Sequence, residues 1–427
     1  TLVGSDRLVS LLGQGDEATG IRLDAGSITD LSGTALFDPR APFIRNAATG
    51  AQVQARTGRL TGGGSILSLS TLRDDSGPIL SSFARTVDIL PGAIVDLSGT
   101  SQSFDEYVLG VGYVPRTQWS AGGTLSMLNS GTIAGAKINA YGGYGDDGGA
   151  FVRTGTINTA LLERRALGGT LELGLPTITQ VDTGIASSGI YSASQIEAAG
   201  FDTLAARGGL RADGDVNLRL RKALLVSSVI TRSGELAVGR NFSIGANSGA
   251  NATFSAPFIG FSAHVFSPIV PSDITEPTIT TPGTVNFIAG APGIDFTGTA
   301  FFSRSIGTLN FQTPGDIRFI GVDGRSANDR AADPTGTRLN GEIITFANTT
   351  FDGGRIYATT GTGNLQLFAD AERAGTALPS NTRPFQIAAY GNHDIRFAST
   401  KPNDVTPLSA GSYLRVVAQN IAQDGLL

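Results

Sequence analysis

The sequence predicts an all-β fold, a parallel β-helix (β-solenoid) with projecting loops, and three observations lead to it. Glycine occupies 58 of the 427 positions, roughly twice its average usage. The chain is nevertheless 40% hydrophobic, which is too apolar for a disordered polypeptide. Short glycine-led apolar segments recur along the chain. This repetition favours stacked strands over a series of unrelated globular domains.

The clearest repeat is a nine-residue unit, GSITDLSGT at residues 26–34, which returns as GAIVDLSGT at residues 92–100 with seven positions identical. The offset is 66 residues, which divides into three steps of 22. We therefore expect a coil of about 22 residues that holds two or three strands and the turns between them. A single coil leaves its apolar face exposed, whereas stacked coils bury a continuous core.

A looser unit supplies the strands: a glycine, a polar or small residue, and then alternating apolar residues. Strand alternation places Leu125 with Met127, and Leu309 with Phe311, on one face of a strand, which predicts that these side chains share a core. The leading glycine is expected to supply the positive φ that a corner needs. Copies begin at Gly64, Gly123, Gly169, Gly214, Gly234, Gly283, Gly307 and Gly363.

Four segments interrupt the pattern and are predicted to project as loops. Residues 266–282 contain four prolines, which excludes a central strand there. The segments are residues 101–120, 141–166, 266–282 and 321–340.

Two short helices and two regions complete the predicted organisation. Helices are expected at residues 157–167 and 194–206, with Ser194 as a possible cap of the second. Residues 1–180 are predicted to be β-helix coils with long loop insertions, and residues 181–427 to continue the β-helix.

The composition also excludes several classes of function. Cysteine is absent, so neither a disulfide framework nor a thiolate metal site is possible, and His264 and His393 are the two histidines. The net charge is −5 without a basic stripe, which argues against nucleic acid as a partner. The sequence contains no run of 18 apolar residues, so no membrane-spanning helix is predicted. The chain starts without methionine and stops within its pattern, so we interpret both ends as cuts inside a longer polypeptide.

Four stretches of the C-terminal half carry a family resemblance. They are residues 192–204 (SASQIEAAGFDTL), the strand series at 214–220, 234–238 and 254–262, residues 313–319 (TPGDIRF), and residues 407–427 (PLSAGSYLRVVAQNIAQDGLL). They resemble segments of the filamentous-haemagglutinin-type exoproteins of two-partner secretion systems. The resemblance covers residues 180–427, and residues 1–180 share only the general glycine-strand pattern. The family's N-terminal secretion domain has no visible counterpart in this sequence.

The resemblance implies a right-handed parallel β-helix that is secreted as an extended chain and folds outside the cell. It also implies an outer-membrane partner transporter and a location that is extracellular, at the bacterial cell surface. Adhesion, aggregation and biofilm structure are common roles in the family, and some members deliver a C-terminal toxin. A chain without cysteine suits this route, because a disulfide would obstruct passage through a pore.

Catalysis is the main alternative, because some β-helix proteins cleave polysaccharides with acidic and basic residues on one exposed face. Paired carboxylates can also bind Ca²⁺. All of the candidates lie in predicted loops, where solvated surface charge is the favoured interpretation. They are Asp74, Asp75, Asp146, Asp147, Arg164, Arg165, Asp323, Asp329, Arg330 and Asp333.

Three further features favour structural roles. Asp30 and Asp96 occupy the same place in the two nine-residue units, where an Asx side chain can hydrogen-bond nearby backbone amides. Residues 141–149 (YGGYGDDGG) resemble a nonapeptide calcium repeat, but they occur once and lack its period, so a loop is favoured. His393 precedes Asp394 without an apparent nucleophile, so a corner histidine is favoured.

The sequence therefore predicts a secreted, non-catalytic adhesin or structural filament segment. No catalytic, cofactor-binding or metal-binding residue is assigned, and no cofactor is expected. Residues 101–120, 141–166 and 266–282 are the predicted contact sites for host cells, glycans, bacterial surfaces or sister molecules in a filament. Two alternatives stay open: a polysaccharide-active β-helix enzyme, and the inert stalk of a contact-dependent toxin-delivery protein.

Overall fold

A computed structural model shows an all-β chain with 59% strand and 2% helix. It describes residues 2–3, 21–46, 49–67, 69–70, 73–74, 77–78, 83–84, 86–128, 131–144, 166–182, 184, 187–228, 231–233, 235–237, 241–245, 249–263, 279–323, 339–362, 385–399 and 412–424.

The strands of the first 200 residues, β1 to β22, are Leu2–Val3, Ile21–Leu23, Ile28–Asp30, Ala35–Phe37, Phe43–Arg45, Gln52–Gln54, Gly58–Leu60, Ser65–Leu67, Leu69–Ser70, Arg73–Asp74, Gly77–Pro78, Phe83–Ala84, Val87–Ile89, Ile94–Asp96, Ser101–Val108, Gly112–Trp119, Thr124–Met127, Gly131–Thr132, Lys137–Asn139, Gly169–Leu173, Thr177–Thr179 and Ile190–Ser192. Helix α1 follows at Ala193–Ala198. Strands β23 to β42 are Phe201–Ala206, Leu210–Ala212, Val216–Arg219, Ala223–Ser228, Thr231–Ser233, Glu235–Ala237, Phe242–Ile244, Asn251–Ala263, Gly283–Thr297, Thr299–Phe301, Ile306–Gln312, Asp316–Ile320, Val322–Asp323, Leu339–Thr345, Asn348–Asp352, Arg355–Ala358, Phe385–Ala389, Ile395–Ala398, Leu414–Val417 and Ile421–Gln423.

The chain divides into two units. Unit 1 contains Thr1–Glu172 and Val181–Leu204, and unit 2 contains Leu173–Gln180 and Ala205–Leu427.

In unit 1 the chain makes three successive passes, and each pass adds one strand to each of three sheets. Strands β2, β13 and β18 form the first sheet, and β3, β14 and β19 belong to the second. Strands β8, β17 and β20 are neighbours in the third. The pairings in the first two sheets, and that of β8 with β17, are parallel.

The nine-residue repeat pairs with itself in register. Ile28 lies opposite Ile94 and Asp30 lies opposite Asp96, so the two copies belong to adjacent passes. The division of the 66-residue offset into three coils is therefore wrong, because these residues form a single pass lengthened by insertions. The step from Val87 to Gly131 is 44 residues, of which 19 form an antiparallel hairpin, so 25 remain for the pass itself.

Unit 2 follows a similar plan with longer strands. Strand β30 pairs with β25 along its first half and with β26 along its second half, and β31 pairs with β33 and β34 in the same way. One branch continues through β37, β40 and β42, and the other through β38. Two further sheets comprise β21, β24 and β29, and β32, β36, β39 and β41. All of these pairings are parallel.

Two columns of stacked phenylalanine rings fill the core of unit 2. The first column is Phe254, Phe287, Phe311, Phe351 and Phe397, one residue from each of five adjacent strands. Neighbouring rings in it lie 5.1–5.8 Å apart, with planes within 25° of each other.

The second column is Phe261, Phe296 and Phe319, and it meets the first edge to face. The ring of Phe296 lies 5.0 Å from that of Phe311, at 84°. The predicted inward orientation of Leu309 and Phe311 is confirmed, because both are fully buried.

The leading glycines serve two purposes, of which the sequence predicted one. Gly26, Gly92 and Gly135 precede β3, β14 and β19 with φ values of 77°, 84° and 69°, as a corner requires. Among the described copies of the looser unit named from the sequence, Gly214 has a φ of 75°, whereas five are not in this left-handed region, so the expected positive φ is wrong for those five: Gly64, Gly123, Gly169, Gly283 and Gly307. A Cβ on Gly123 would collide with the carbonyl of Gly64, and one on Gly283 with the carbonyl of Ala250. Close approach of two backbones is therefore the reason for glycine at these two positions.

The predicted second helix is wrong in its extent and its cap. Helix α1 ends at Ala198, and Ser192 caps it by accepting a hydrogen bond from the amide of Gln195. Gly200, with a φ of 79°, follows the helix. All six residues of β23 are buried, so this segment has no solvent face for an amphipathic helix. Residues 157–165 of the other predicted helix lie outside the described residues.

The four predicted loops have different outcomes. Residues 101–119 form the antiparallel hairpin β15–β16 and not an irregular loop. Residues 141–144 are buried. The described residues 279–282 form no strand. Residues 322–323 pair antiparallel with residues 339–340. The remaining parts, 145–165, 266–278 and 324–338, are not among the described residues.

Candidate binding surface

Each pass of unit 1 turns a corner directly after its strand in the second sheet, and a ladder of Asx side chains shapes that corner. Oδ1 of Asp30 accepts a hydrogen bond from the amide of Ser32 at 3.0 Å, and Oδ1 of Asp96 accepts one from the amide of Ser98 at 2.9 Å. Asn139, in the third pass, accepts from the amide two residues on at 3.2 Å. The predicted structural role of Asp30 and Asp96 is confirmed.

Asp96 is the most perturbed member of this ladder. Its Oδ1 also accepts a hydrogen bond from Nδ2 of Asn139 at 3.1 Å. Its Oδ2 is buried and has no hydrogen-bond partner among the described residues. Burial raises the pKa of Asp96, and the nearby carboxylate of Asp30 adds to this effect, while the hydrogen bonds from Ser98 and Asn139 oppose it.

The corner leads into a neck from which the chain leaves the sheets. In the first pass the amide of Thr34 donates to Oγ1 of Thr61 at 2.8 Å, and the amide of Thr61 donates to the carbonyl of Thr34 at 2.9 Å. In the second pass Thr100 and Ser120 make the same two hydrogen bonds, at 2.8 and 2.9 Å. The outgoing and returning chains are thus fastened in the same way in two adjacent passes.

A glycine at each neck allows the returning chain to approach. A Cβ on Gly33 would collide with the carbonyl of Thr61, and one on Gly99 with the carbonyl of Ser120. In the third pass a Cβ on Gly142 would likewise collide with the carbonyl of Ala166. The insertion between residues 144 and 166 therefore leaves from the equivalent place, although residues 145–165 are outside the described part of the chain.

Two antiparallel hairpins project from the first two necks. The first hairpin, residues 35–60, pairs β4 with β7 and β5 with β6. The second hairpin, residues 101–119, pairs β15 with β16 continuously from Ser101 opposite Trp119 to Val108 opposite Gly112. The sequence predicted the second as a loop and missed the first. The signal for both was a Gly-Thr exit after the repeat and a return through Thr61-Gly62-Gly63 or Ser120-Ala121-Gly122.

The two hairpins are fastened to each other. The amide of Asp105 donates to the carbonyl of Arg56 at 2.9 Å, and the amide of Arg56 donates to Oδ2 of Asp105 at 2.7 Å. Phe104 is buried, and its ring lies 5.5 Å from that of Phe37. Beside this contact is an open depression of about 370 Å³, lined by Leu36, Phe37, Asp38, Thr57, Gly58 and Arg59.

Large apolar side chains are exposed on both hairpins. Phe43 of the first hairpin is 71% exposed. In the second hairpin Leu109 is 88% exposed, Val111 is 73% exposed and Tyr107 is 60% exposed. Such side chains on a projecting hairpin form a surface suited to contact with another molecule or surface.

Charged side chains of unit 2 make a second candidate site on β31, β34 and β38. Arg318 binds the carboxylate of Asp295 through two hydrogen bonds of 2.6 and 2.9 Å. Arg355 binds Asp316 through two of 2.7 Å, and the Tyr357 hydroxyl donates to Asp316 at 3.0 Å. Burial raises the pKa of Asp316, but the hydrogen bonds from Arg355 and Tyr357 outweigh it, and the pKa is lowered. The carboxylate of Asp316 is therefore stabilised as an anion.

Of the catalytic candidates named from the sequence, two belong to the described strands, one in each unit. Asp74 lies in β10 and Asp323 in β35, which are separate two-residue strands. Of the other candidates, Asp75, Asp146, Asp147, Arg164, Arg165, Asp329, Arg330 and Asp333 lie outside the described residues.

His393 and Asp394 are described, and they form no hydrogen-bonded pair. Nδ1 of His393 is buried without a hydrogen-bond partner in the described chain. Oδ1 of Asp394 accepts hydrogen bonds from the amide and Nδ2 of Asn420, at 3.1 and 2.8 Å. This arrangement agrees with the predicted structural role of His393 and offers no oriented general base.

Comparisons with known proteins give no match to a family model, to a curated protein or to a solved structure. Among the described residues, no group of three or more histidine or acidic side chains is placed to hold a metal ion. In the same part of the chain, no helix has the length and apolarity needed to cross a membrane.

Proposed function

We propose that this chain is part of a secreted, non-catalytic bacterial surface protein, a right-handed parallel β-helix of the filamentous-haemagglutinin type whose hairpins make adhesive contacts. The successive passes with parallel pairing support the β-helix. The right hand follows from the strong preference of parallel crossover connections for that hand. The outer-membrane transporter and the extracellular location rest on the resemblance of residues 180–427.

The observation that carries the proposal is the difference between the two candidate sites. On the hairpins, large apolar side chains are exposed on elements that project from fixed necks. In unit 2 the charged groups are already paired with each other. A contact surface needs exposed apolar side chains like those of the hairpins, because burying exposed apolar area stabilises a complex.

The enzyme alternative has less support. A polysaccharide-cleaving site needs one carboxyl group that can carry a proton and one that is free to act as base or nucleophile. Asp295 and Asp316 are each held by two hydrogen bonds from an arginine, and the pKa of Asp316 is lowered. Cleavage of a polyuronate or another glycan by the chain would reverse this judgement.

The test is to replace residues 101–119 by an Asn-Gly turn between Thr100 and Ser120. The neck already brings these two residues together, and Asn-Gly suits a two-residue turn. We expect adhesion to bacterial or host cells to fall strongly, while the β-sheet circular dichroism spectrum is retained.

A double substitution at exposed aliphatic positions that are not part of either hairpin, Leu175→Ser with Val181→Ser, serves as the control. These side chains are 68% and 64% exposed, so adhesion should be unchanged. Full adhesion by the hairpin-deleted protein would contradict the proposed contact site. The insertions at 141–166 and 266–282, proposed as further contact sites, would then be deleted in turn.

A further inference from the structure

The tip of the second hairpin, residues 107–113 (YVLGVGY), is an exposed and uncharged segment. It contains two tyrosines, three aliphatic residues and two glycines, and no charged side chain. Leu109 and Val111 stand at the turn and are its most exposed side chains. Gly110 and Gly112, with φ values of 81° and 101°, form the turn that presents them.

Polarity changes in order along the hairpin. Behind Leu109 and Val111 lies the cross-strand pair Tyr107 and Tyr113, whose rings meet edge to face at 5.4 Å. Further back, Glu106 and Arg116 form an ion pair at 3.2 Å. This order, from aliphatic side chains through tyrosines to paired charges, matches the layers of a lipid monolayer, which run from hydrocarbon through the interface to the headgroups.

The dimensions agree with this order. The tyrosine pair is three residues from the centre of the turn, which is at most about 10 Å at the rise of an antiparallel strand. Apolar faces of interfacial amphipathic helices are buried to about 5–10 Å at the boundary between headgroups and acyl chains. The tip therefore has the length to reach that boundary while Tyr107 and Tyr113 stay at headgroup level.

We propose that this tip inserts into the interfacial region of a lipid bilayer. The inference rests on the proposed function, because the same hairpin makes the contact, and it names the partner as a lipid surface. The tip itself carries no charged side chain, so zwitterionic lipids suffice and binding depends little on salt. A second copy of the chain fits less well, because Pro115 in β16 lacks the N–H needed for continuous edge pairing.

The experiment measures flotation of the full chain with vesicles of phosphatidylcholine and phosphatidylethanolamine. The unaltered chain should float with the vesicles. The double variant Leu109→Ser with Val111→Ser should lose at least about tenfold in partition coefficient, since each aliphatic side chain contributes more than a tenfold factor on full burial. Leu175→Ser with Val181→Ser should bind within about twofold of the unaltered chain.

A depth measurement uses the single tryptophan of the sequence, Trp119. Trp119 is nine residues from the centre of the turn, about 30 Å along the strand, so lipids brominated in their acyl chains should leave its emission unchanged. Leu109→Trp in a Trp119→Phe background should be quenched by the same lipids. Circular dichroism establishes that both proteins are folded.

Absence of vesicle binding by the folded unaltered chain, or equal binding by the tip variant, would overturn the inference. If the tip variant changed only the sedimentation coefficient of the chain, contact between copies would replace the lipid surface. Loss of cell adhesion on hairpin deletion without vesicle binding would leave the proposed function standing and remove the inference. Vesicle binding by the unaltered chain, with cell adhesion unchanged on hairpin deletion, would leave the inference standing and contradict the proposed function.

Discussion

At the scale of single residues, Asp30, Asp96 and Asn139 occupy equivalent backbone positions but differ in charge or in burial. The Asx turn at each position was predictable, because its hydrogen bond spans two residues of local sequence. The burial of Asp96 was not predictable, because it depends on Asn139, which lies 43 residues further along the chain. Stacking between passes thus sets the electrostatics of a corner whose shape is local.

We predict that Asp96→Asn stabilises the fold at pH 7 by about 1–2 kcal/mol, the cost of a buried polar atom without a partner. The new Nδ2 can donate to Oδ1 of Asp30, as Nδ2 of Asn139 already donates to Oδ1 of Asp96. Chemical denaturation of the two proteins measures the difference. Asp30→Asn is the matched control, and it should change the free energy of unfolding by less than about 0.5 kcal/mol because Asp30 is only half-buried.

The pH dependence has a defined sign. The pKa of Asp96 is raised in the folded state above its unfolded value of about 3.9. The contribution of Asp96 is therefore most favourable below the unfolded pKa and is lost as pH rises through the folded pKa. Asp96→Asn should remove this decline in the free energy of unfolding with rising pH. A decline of the same size in the variant would assign the effect to another group.

At the scale of elements, alternation within a strand was predictable and the pairing between strands was not. Glycine followed by alternating apolar residues identified the inward side chains of β17 and β33, including Leu125 and Leu309, which are fully buried. The same pattern did not reveal that β33 lies between β31 and β37, because the insertions between passes differ in length. It also did not separate the hairpin at residues 101–119 from a loop, since polar residues are interspersed with aromatic ones there.

The phenylalanine columns give the second prediction. Phe311 stacks on Phe287 at 5.5 Å and on Phe351 at 5.1 Å, and it meets Phe296 edge to face. Phe311→Ala should lower the free energy of unfolding by about 3–5 kcal/mol, because it opens a cavity between two rings of the column. Thermal and chemical denaturation measure the loss.

Phe43→Ala is the comparison variant for this prediction. Phe43 is 71% exposed, so its removal should change the free energy of unfolding by less than about 0.5 kcal/mol. Similar losses in the two variants would show that the columns contribute no more to stability than an exposed ring.

At the scale of the whole molecule, the all-β class and the stacking of repeats were predictable from composition and from one nine-residue unit. The length of a pass was not predictable, because the 66 residues between the two copies form one pass with its insertions and not three coils. The division of the chain into units depends on contacts that are distant in sequence. Unit 2 includes Leu173–Gln180, although Val181–Leu204 belongs to unit 1.

The segment Leu173–Gln180 gives the last prediction, because it supplies an edge of unit 2. The amide of Arg211 donates to the carbonyl of Pro176 at 2.9 Å, and the amide of Asp213 donates to the carbonyl of Ile178 at 2.9 Å. The Ile178 side chain is fully buried. A fragment that starts at residue 173 keeps these interactions, whereas one that starts at residue 181 loses them. The longer fragment should therefore melt at a temperature several degrees higher, since burial of one isoleucine alone contributes about 1.5–3 kcal/mol. Differential scanning calorimetry of the two fragments measures this, and equal melting temperatures would exclude Leu173–Gln180 as a stabilising part of unit 2.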